Sequence, residues 1–235
     1  MNIESVIRAD ETLDGPHGLK IIQKKGYYRY SQDSLHLVDF ASIKKNDEII
    51  DLGTGCGVMA LIIAKRGLGK RIIGVEIQEE LSEVATRSVA LNGFRDKVKI
   101  VKGDLKDVSS FFAPNSFDYV ITNPPYVEAT SGTKSSGRKK AIARHEILCT
   151  MDDILEAMRY LLKSFRRGAC VYPAMRFGEL VFRATNRNLQ PARAQFIYSN
   201  LKEKAELVMA EFIKGGKPAL EVLPPLVCSE LRTNS

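Results

Sequence analysis

The segment Asp51-Leu-Gly-Thr-Gly-Cys-Gly57 lies between an apolar run at residues 48–52 and a run of helical character at residues 58–65. Residues 48–52 have the composition of a buried parallel strand. Glycines in a strand-to-helix connection let the backbone turn sharply and approach a ligand closely. The segment therefore predicts a strand, a ligand-binding loop and a helix, which together begin a βαβ unit.

Apolar runs continue to alternate between strand-like and helix-like character on both sides of this unit. This alternation predicts an α/β fold in which helices cover both faces of a parallel sheet. The last two strand-like runs have no long helix between them, so we expect them to pair antiparallel. The strands are predicted at residues 71–76, 98–101, 117–122, 169–172, 194–198 and 206–213, and the helices at 79–91, 152–163 and 176–188.

The 235 residues fit a single domain, with a catalytic core at 47–235 and an N-terminal addition at 1–46. Within the addition, residues 19–23 and 27–30 flank Lys24-Lys-Gly26 and are predicted to form a small hairpin. A short helix is expected from about Ser34 to Ser42. We expect this hairpin and helix to cover the cleft beside the glycine loop.

Bulk composition narrows the classes of protein. The sequence has no apolar run long enough to cross a bilayer, and residues 1–14 lack the apolar segment of a secretion signal. Four scattered cysteines without a CxxC pair argue against a zinc or redox site, so we expect no metal and a reducing cytoplasm. The net charge of +7 suggests an anionic partner such as nucleic acid, although a merely basic enzyme would share it. The oligomeric state stays open between a monomer and a weak homodimer.

The carboxylate of Asp51 indicates which ligand the loop binds. A dinucleotide fingerprint would place its third glycine where Val58 stands. A carboxylate just before the loop would repel a pyrophosphate, whereas it suits the amino group and sulfonium of S-adenosylmethionine. Glu76 ends the second strand and can accept hydrogen bonds from ribose hydroxyls, and Asp104 after the third strand can accept from an adenine amino group.

Each of these residues also has a purely structural interpretation. Gly55 could serve a plain turn, Glu76 could be a solvated strand end and Asp104 could cap the following helix. Their order on successive strand ends favours the ligand interpretation. The pattern resembles that of the Rossmann-like class I methyltransferases, which implies a seven-stranded sheet with a reversed last strand. The cofactor-binding set predicted on the core is Asp51, Gly53, Gly55, Gly57, Glu76, Ile77, Asp104, Leu105 and Asn123.

The motif Asn123-Pro124-Pro125-Tyr126, or NPPY, directly follows the fourth predicted strand. An exocyclic amine on a purine is a poor nucleophile, and the side-chain oxygen of Asn123 and the carbonyl of Pro124 can accept hydrogen bonds from it. The two prolines hold these acceptors rigidly, and Tyr126 can stack on the base. The simpler alternative is a proline turn that ends a strand. No cysteine lies near this turn, which argues against methylation of pyrimidine carbon.

NPPY occurs in methyltransferases of adenine N6, of guanine N2 in ribosomal RNA and of a glutamine amide in release factors. Release-factor enzymes carry a helical domain before the glycine loop, whereas about fifty residues precede Asp51, so that substrate becomes the second choice. A nucleotide-binding module without catalysis is a third alternative. The intact Asp51, Asn123 and Tyr126 favour an enzyme over such a module.

The chain as a whole resembles the bacterial tRNA1(Val) adenine-N6 methyltransferase family. The resemblance rests on residues 26–35, 51–57, 123–126, 143–146 and 214–225. It implies a tRNA substrate, methylated at N6 of the adenosine 3′ to the anticodon. It also implies that Gln32 and Asp33 lie over the cofactor cleft, although Asp33 could instead cap a helix.

The segment from Glu128 to Arg144 follows the NPPY motif and is rich in basic residues. Its position beside the expected target base favours contact with RNA phosphates, whereas a run of charges elsewhere would more often be only solvated. The predicted nucleic-acid-binding residues are Lys134, Arg138, Lys139, Lys140 and Arg144.

Overall fold

The structure is a computed structural model that describes residues 7–27, 29–124, 149–217 and 219–228. Its helices are α1 (Gln32–Phe40), α2 (Val58–Lys65), α3 (Glu79–Leu91), α4 (Met151–Leu161) and α5 (Phe177–Thr185). Its strands are β1 (Glu11–Asp14), β2 (Ile21–Lys24), β3 (Glu48–Leu52), β4 (Arg71–Glu76), β5 (Val98–Lys102), β6 (Phe117–Thr122), β7 (Leu162–Pro173), β8 (Leu189–Tyr198), β9 (Leu207–Lys214), β10 (Glu221–Val222) and β11 (Leu226–Val227).

The main sheet confirms the predicted α/β architecture. Its strand order is β10-β8-β9-β7-β6-β3-β4-β5, and β3 to β7 pair in parallel. The reversed strand is β9, which lies between β7 and β8 and pairs antiparallel with both, as expected for the last two predicted strands. The expected seven strands are extended to nine because β10 and β11 both add in parallel to β8.

The predicted N-terminal hairpin exists, but its strands are different ones. β1 pairs with β2, so that Glu11 lies opposite Lys24, whereas the described residues Tyr27, Arg29 and Tyr30 are not in a strand. The chain reverses at Gly15-Pro16-His17-Gly18, where His17 and Gly18 both have positive φ. The Lys24-Lys-Gly26 turn instead leads the chain toward α1. The stronger glycine and proline turn therefore decided the pairing.

The hairpin lies along α3. The Arg87 guanidinium on α3 pairs with the fully buried Glu11 of β1. The Ile22 N–H donates to Ser88 Oγ at 3.0 Å, and the Lys20 N–H donates to Asn92 Oδ1 at 3.0 Å. The hairpin is thus fixed by hydrogen bonds to one face of α3, while α1 packs against α2.

Two apolar cores lie on opposite faces of the sheet. Successive side chains of a strand point to opposite faces, and Ile49 belongs to the core beneath α1, α2 and α3, whereas Ile50 belongs to the core beneath α4 and α5. All residues of α2 from Val58 to Ala64 are buried, because the sheet covers one side of this helix and α1 covers another. This burial on all sides explains why α2 has no polar face.

A buried carboxylate ties the end of α1 to the sheet. Glu211 on β9 is fully buried and accepts from the Ser42 N–H at 3.0 Å and from Ser42 Oγ at 2.7 Å. Tyr119 and Arg167 also donate to it, at 2.5 and 2.8 Å. Burial acts to raise the pKa of Glu211, but these hydrogen bonds outweigh it and hold the pKa below its ordinary value.

We predict that Glu211→Ala lowers the free energy of unfolding by about 1–3 kcal/mol at pH 7, because the buried Tyr119 hydroxyl and the Ser42 donors lose their acceptor. A lowered carboxyl pKa stabilises the fold above the ordinary glutamate pKa and ceases to do so as the pH falls through the native value. The deficit should therefore shrink below about pH 4. Urea denaturation at several pH values measures it.

Glu221→Ala, which removes an exposed glutamate, is the control and should change stability little. A Glu211→Ala protein as stable as the unsubstituted chain at pH 7 would contradict the proposed role of this cluster.

Candidate functional site

The glycine loop connects β3 to α2 and opens to one side. Gly53 and Gly55 have φ of 73° and 57°, and an added Cβ at either position would meet no atom within 4 Å. The N–H groups of Gly53 and Thr54 both donate to the Val75 carbonyl of β4 at 2.9 Å. The loop is therefore held against β4, while the positions that Cβ atoms of Gly53 and Gly55 would take are open to 4 Å among the described residues, which suits close approach by a ligand.

Gly57 has a different task in the same loop. Its φ is 84°, and a Cβ here would lie 3.3 Å from the Cβ of Ala85 on α3. Gly57 thus allows the start of α2 to pack closely on α3. Gly74 on β4 plays a similar part, because a Cβ there would come within 2.8 Å of the Thr54 side chain. Sequence analysis missed Thr54 and Gly74, although a glycine inside a strand is a signal of close approach.

Asp51 lies beneath the loop and is completely buried. Its Oδ2 accepts from Thr54 Oγ1 at 2.6 Å, and its Oδ1 has no hydrogen-bond partner among the described residues. Burial raises the pKa of Asp51 to about 7, although the Thr54 hydrogen bond opposes this change. A buried acceptor without a partner is costly, and a cationic ligand would supply the missing interaction.

Glu76 at the end of β4 is 5% exposed, so the alternative of a solvated strand end is wrong. One carboxylate oxygen accepts from the Gly55 N–H at 2.9 Å, and the other accepts from the Gln78 N–H at 3.0 Å. The oxygen bound by the Gln78 N–H also accepts from Gln78 Nε2 at 3.4 Å, so the oxygen bound by Gly55 is the one with a lone pair left for a further hydrogen bond. The glycine loop and the end of β4 are thereby fixed to each other.

Asp104 follows β5 and caps a short 3₁₀ helix at residues 105–110. Its Oδ1 accepts from the Lys106 N–H at 2.9 Å, and its Oδ2 lies 3.5 Å from Lys106 Nζ. The structural interpretation of Asp104 therefore holds. It does not exclude a ligand contact, because the carboxylate remains partly exposed at the rim of a cleft.

That cleft has an empty volume of about 300 Å³ and lies along the carboxyl ends of β3, β4 and β5. It brings together five predicted cofactor residues: Gly53, Glu76, Ile77, Asp104 and Leu105. Val75, Gly103 and Cys149 also line it, and none of these three was predicted. Val75 and Gly103 adjoin predicted residues, whereas Cys149 reaches the cleft from a distant part of the sequence and carries no local signal.

Asn123 continues β6 beyond Thr122, whose Oγ1 donates to the Leu52 carbonyl at 2.8 Å. This bond joins the end of β6 to the end of β3, directly before the glycine loop. The Nδ2 of Asn123 donates to Ser34 Oγ on α1 at 2.8 Å, and Pro124 is buried. The start of the NPPY motif therefore lies at the same sheet edge as the glycine loop, in contact with α1.

The first turn of α1 contains the other two residues assigned to the cofactor. Gln32 is exposed, and Asp33 is buried, with its Oδ2 accepting from Ser31 Oγ at 3.0 Å. The other oxygen of Asp33 has no partner among the described residues, and burial raises the pKa of this carboxyl. The alternative that Asp33 caps α1 is wrong, because the N-cap residue is Ser31.

Seven predicted site residues lie outside the described residues: Pro125, Tyr126, Lys134, Arg138, Lys139, Lys140 and Arg144. Within the described ranges, no cluster of three or more His, Cys, Asp or Glu side chains could hold a metal ion. No helix in those same ranges has the length and apolar character needed to cross a membrane.

Solved proteins share this architecture. A predicted O-methyltransferase from Agrobacterium tumefaciens matches with a TM-score of 0.66 at 18% identity, covering 86% of this chain and 90% of that one. TYW2 of M. jannaschii, solved in complex with AdoMet, matches with a TM-score of 0.61 at 16% identity over 88% of each chain. At these identities the likeness is one of fold, and the fold is that of the class I methyltransferases.

The methyltransferase-domain family matches residues 43–234, and the chain belongs to that family. A tRNA1(Val) (adenine(37)-N6)-methyltransferase of Bacteroides thetaiotaomicron is 31% identical over 132 residues, which are 56% of this chain and 54% of that protein. A protein of the same name from Porphyromonas gingivalis is 28% identical over 165 residues, 69% of this chain and 64% of the relative. The chain thus spans less than two thirds of the length of these two relatives.

We predict that Asp51→Asn stabilises the ligand-free protein at pH 8. A carboxyl whose pKa is raised on folding keeps its proton to higher pH than the unfolded chain does, so folding stability falls as the pH rises from about 4 to about 7. Asparagine cannot ionise and escapes this loss, which amounts to at most about 4 kcal/mol. Thermal unfolding at pH 5 and pH 8 measures the difference.

Asp96→Asn, at an exposed position, is the control and should show no such pH-dependent gain. If Asp51→Asn were less stable than the unsubstituted protein at both pH values, the buried carboxylate would not destabilise the fold by ionising, which would contradict this prediction.

Proposed function

We propose that the chain is an S-adenosylmethionine-dependent methyltransferase that transfers a methyl group to N6 of an adenine in tRNA. The observation that carries the proposal is the placement of a buried, unpartnered Asp51 oxygen, an open glycine loop and Asn123 along one sheet edge. Membership of the methyltransferase-domain family supports the reaction class.

The cleft residues suit S-adenosylmethionine. Asp51 would compensate the positive charge of the cofactor. Its Oδ1, which has no partner among the described residues, would accept a hydrogen bond from the ammonium group or from a group bound to it. Glu76 would accept from the ribose hydroxyls and Asp104 from the adenine amino group, each with the lone pairs left by the contacts described above. The absence of side chains at Gly53 and Gly55 leaves room for close contact.

S-adenosylmethionine supplies a methyl group made electrophilic by its sulfonium. The task of the chain is to orient the adenine amine, whose lone pair is delocalised into the ring. Asn123 Oδ1 and the Pro124 carbonyl would accept hydrogen bonds from the two N–H bonds of this amine. These contacts would direct the lone pair of the amine nitrogen toward the methyl group. Burial of Pro124 supports a rigid acceptor, since the ring restricts the backbone before and after it. Tyr126 would hold the base by stacking.

Two observations favour tRNA as the substrate. The named relatives are tRNA1(Val) methyltransferases that act on adenine at position 37, and the resembling segments extend beyond the motifs common to methyltransferases. The net charge of +7 and the basic segment after NPPY suit an RNA backbone. A base in an anticodon loop costs less to extrude than a paired one. We expect the reaction to take place in the cytoplasm, where tRNA is found.

The test is to incubate the purified protein with methyl-labelled S-adenosylmethionine and small RNA from cells lacking the enzyme, and then to identify the labelled nucleoside. Label in N6-methyladenosine from tRNA is the expected result, and sequencing of the labelled fragment would locate the position. Label in N2-methylguanosine, or only in a release factor, would overturn the substrate assignment. Cofactor binding without transfer to RNA or protein would overturn the assignment as an enzyme.

We predict that Asn123→Ala abolishes methyl transfer while cofactor affinity changes less than about threefold. The side chain is expected to act on the adenine amine, and a lost acceptor in the transition state typically lowers kcat by about 10²–10³. Single-turnover transfer and isothermal titration with S-adenosylmethionine measure the two quantities. Loss of both together would contradict this division of labour.

We predict that the double substitution Lys139→Ala, Lys140→Ala raises the KM for tRNA and leaves cofactor affinity unchanged. Each lost phosphate contact should also reduce the slope of log K against log[salt] by about 0.7–0.9. The matched control is Lys44→Ala, Lys45→Ala, a pair of exposed consecutive lysines between α1 and β3. An equal effect of both pairs would indicate only a general dependence on net charge.

A further inference from the structure

Ser34 on α1 contacts the catalytic motif, although it belongs to no motif that predicts chemistry. It is 5% exposed, and its Oγ accepts from Asn123 Nδ2 at 2.8 Å. The two residues are 89 positions apart in the sequence. This bond therefore depends on how α1 is placed on the sheet.

Alternation along β6 brings Asn123 to this face. Tyr119 and Ile121 belong to the core beneath α1 and α2, whereas Val120 belongs to the opposite core. Two residues beyond Ile121, the side chain of Asn123 points to the same face as Tyr119. Tyr119 and Asn123 consequently both reach toward α1, one near each end of the helix.

The lengths of the two elements match. The Ser42 N–H, just beyond α1, donates to Tyr119 Oη at 3.2 Å, and Ser34 near the start of α1 contacts Asn123. The helix rises about 1.5 Å per residue, so Ser34 and Ser42 are about 12 Å apart. A strand rises about 3.3 Å per residue, which separates Tyr119 and Asn123 by about 13 Å. α1 thus runs opposite to β6 and spans it with a contact at each end.

The far end of α1 is firmly held. Ser42 donates twice to the buried Glu211, and Arg193 donates to the Phe40 carbonyl at 2.6 Å. The Arg193 guanidinium also lies 4.7 Å from the centre of the Phe40 ring. Leu37 is fully buried in the core beneath the helix. Ser34 is therefore presented to Asn123 from a helix whose position is fixed by the sheet.

We infer that Ser34 is a positioning residue that holds the side-chain amide of Asn123 in place for methyl transfer, an inference that rests on the proposed function. The amide has a donor end and an acceptor end. With Ser34 accepting from Nδ2, the carbonyl oxygen becomes the end that can meet the substrate amine. A serine hydroxyl can also donate, so the contact fixes where the amide lies, and the orientation with Nδ2 on Ser34 is the one that offers Oδ1 to the amine.

Loss of the Ser34 hydroxyl should lower the rate of transfer and leave binding intact. Without this acceptor, the amide loses one of the contacts that hold it in place, so the hydrogen bond to the transition state is less well preorganised. The cofactor contacts of the cleft do not involve Ser34. The effect should therefore fall on kcat.

The experiment compares Ser34→Ala, Ser34→Thr and Ser42→Ala. Ser34→Ala should reduce kcat about tenfold, with the KM for tRNA and the Kd for S-adenosylmethionine within about twofold of their original values. Ser34→Thr retains the hydroxyl and should recover most of kcat. Ser42→Ala removes a serine hydroxyl at the other end of the same helix, so it should lower the Tm and keep kcat.

Unchanged kcat in Ser34→Ala would overturn the inference. The inference would also be overturned if Ser42→Ala lowered kcat as much as Ser34→Ala while both variants lost the same amount of Tm. The effect on kcat would then come from the helix as a whole. Failure of Ser34→Thr to exceed Ser34→Ala, at equal Tm, would also count against a role for the hydroxyl.

A second measurement does not depend on the substrate. The side-chain amide protons of Asn123 can be assigned by NMR from the signals that disappear in Asn123→Asp. In Ser34→Ala these protons should exchange with solvent at least about fivefold faster, because they lose a hydrogen bond worth about 1 kcal/mol. Unchanged exchange would overturn the contact itself. If the protein methylated no RNA, the proposed function would fail, while this measurement would still decide whether Ser34 holds the amide.

Discussion

The parallel pairing of β5, β4, β3 and β6 is the constraint on which the site depends. Parallel strands place their carboxyl ends at the same edge, so residues far apart in sequence meet there. The glycine loop leaves β3, Glu76 ends β4, Asp104 follows β5 and Asn123 follows β6. Hydrogen bonds from the loop to Val75 and Glu76, and from Thr122 to Leu52, then fix these ends to one another. A ligand at this edge would meet groups that are already ordered.

The N-terminal segment is joined to this edge through α1. One end of the helix is held by Glu211, which is buried among strands of the antiparallel half of the sheet, and the other end reaches Asn123. The two halves of the sheet are therefore coupled through one nine-residue helix. Two buried carboxylates differ in their hydrogen bonding. Glu211 accepts hydrogen bonds from several donors, whereas Asp51 retains an oxygen without a partner among the described residues. The satisfied one stabilises the scaffold, and the unsatisfied one lies buried beneath the glycine loop.

Sequence patterns predicted the core because its signals are local. The glycine loop and the strand ends with Glu76 and Asp104 followed from short segments with clear periodicity, whereas the reversed last strand was implied by the resemblance to the class I methyltransferases. The hairpin was assigned to the wrong strands because two turn signals competed and only packing on α3 distinguishes them. Ser34 and Cys149 were missed for a related reason. Each reaches the site through a contact between distant segments, and only Ser34 had a nearby signal, because it adjoins the predicted Gln32 and Asp33.

The short strands β10 and β11 have a consequence for the solubility of the folded chain. β8 would otherwise offer unpaired N–H and C=O groups along its outer side, and such an edge invites pairing with strands of other molecules. The Leu223 and Cys228 N–H groups instead bond to the Ala194 and Tyr198 carbonyls at 2.8 Å. At the opposite edge, β5 exposes Lys99 and Lys102, charges that disfavour stacking of a second sheet. β10, β11 and the residues beside them thus protect the fold against aggregation. In return, this segment has to remain paired with β8, the strand that would otherwise be an open edge.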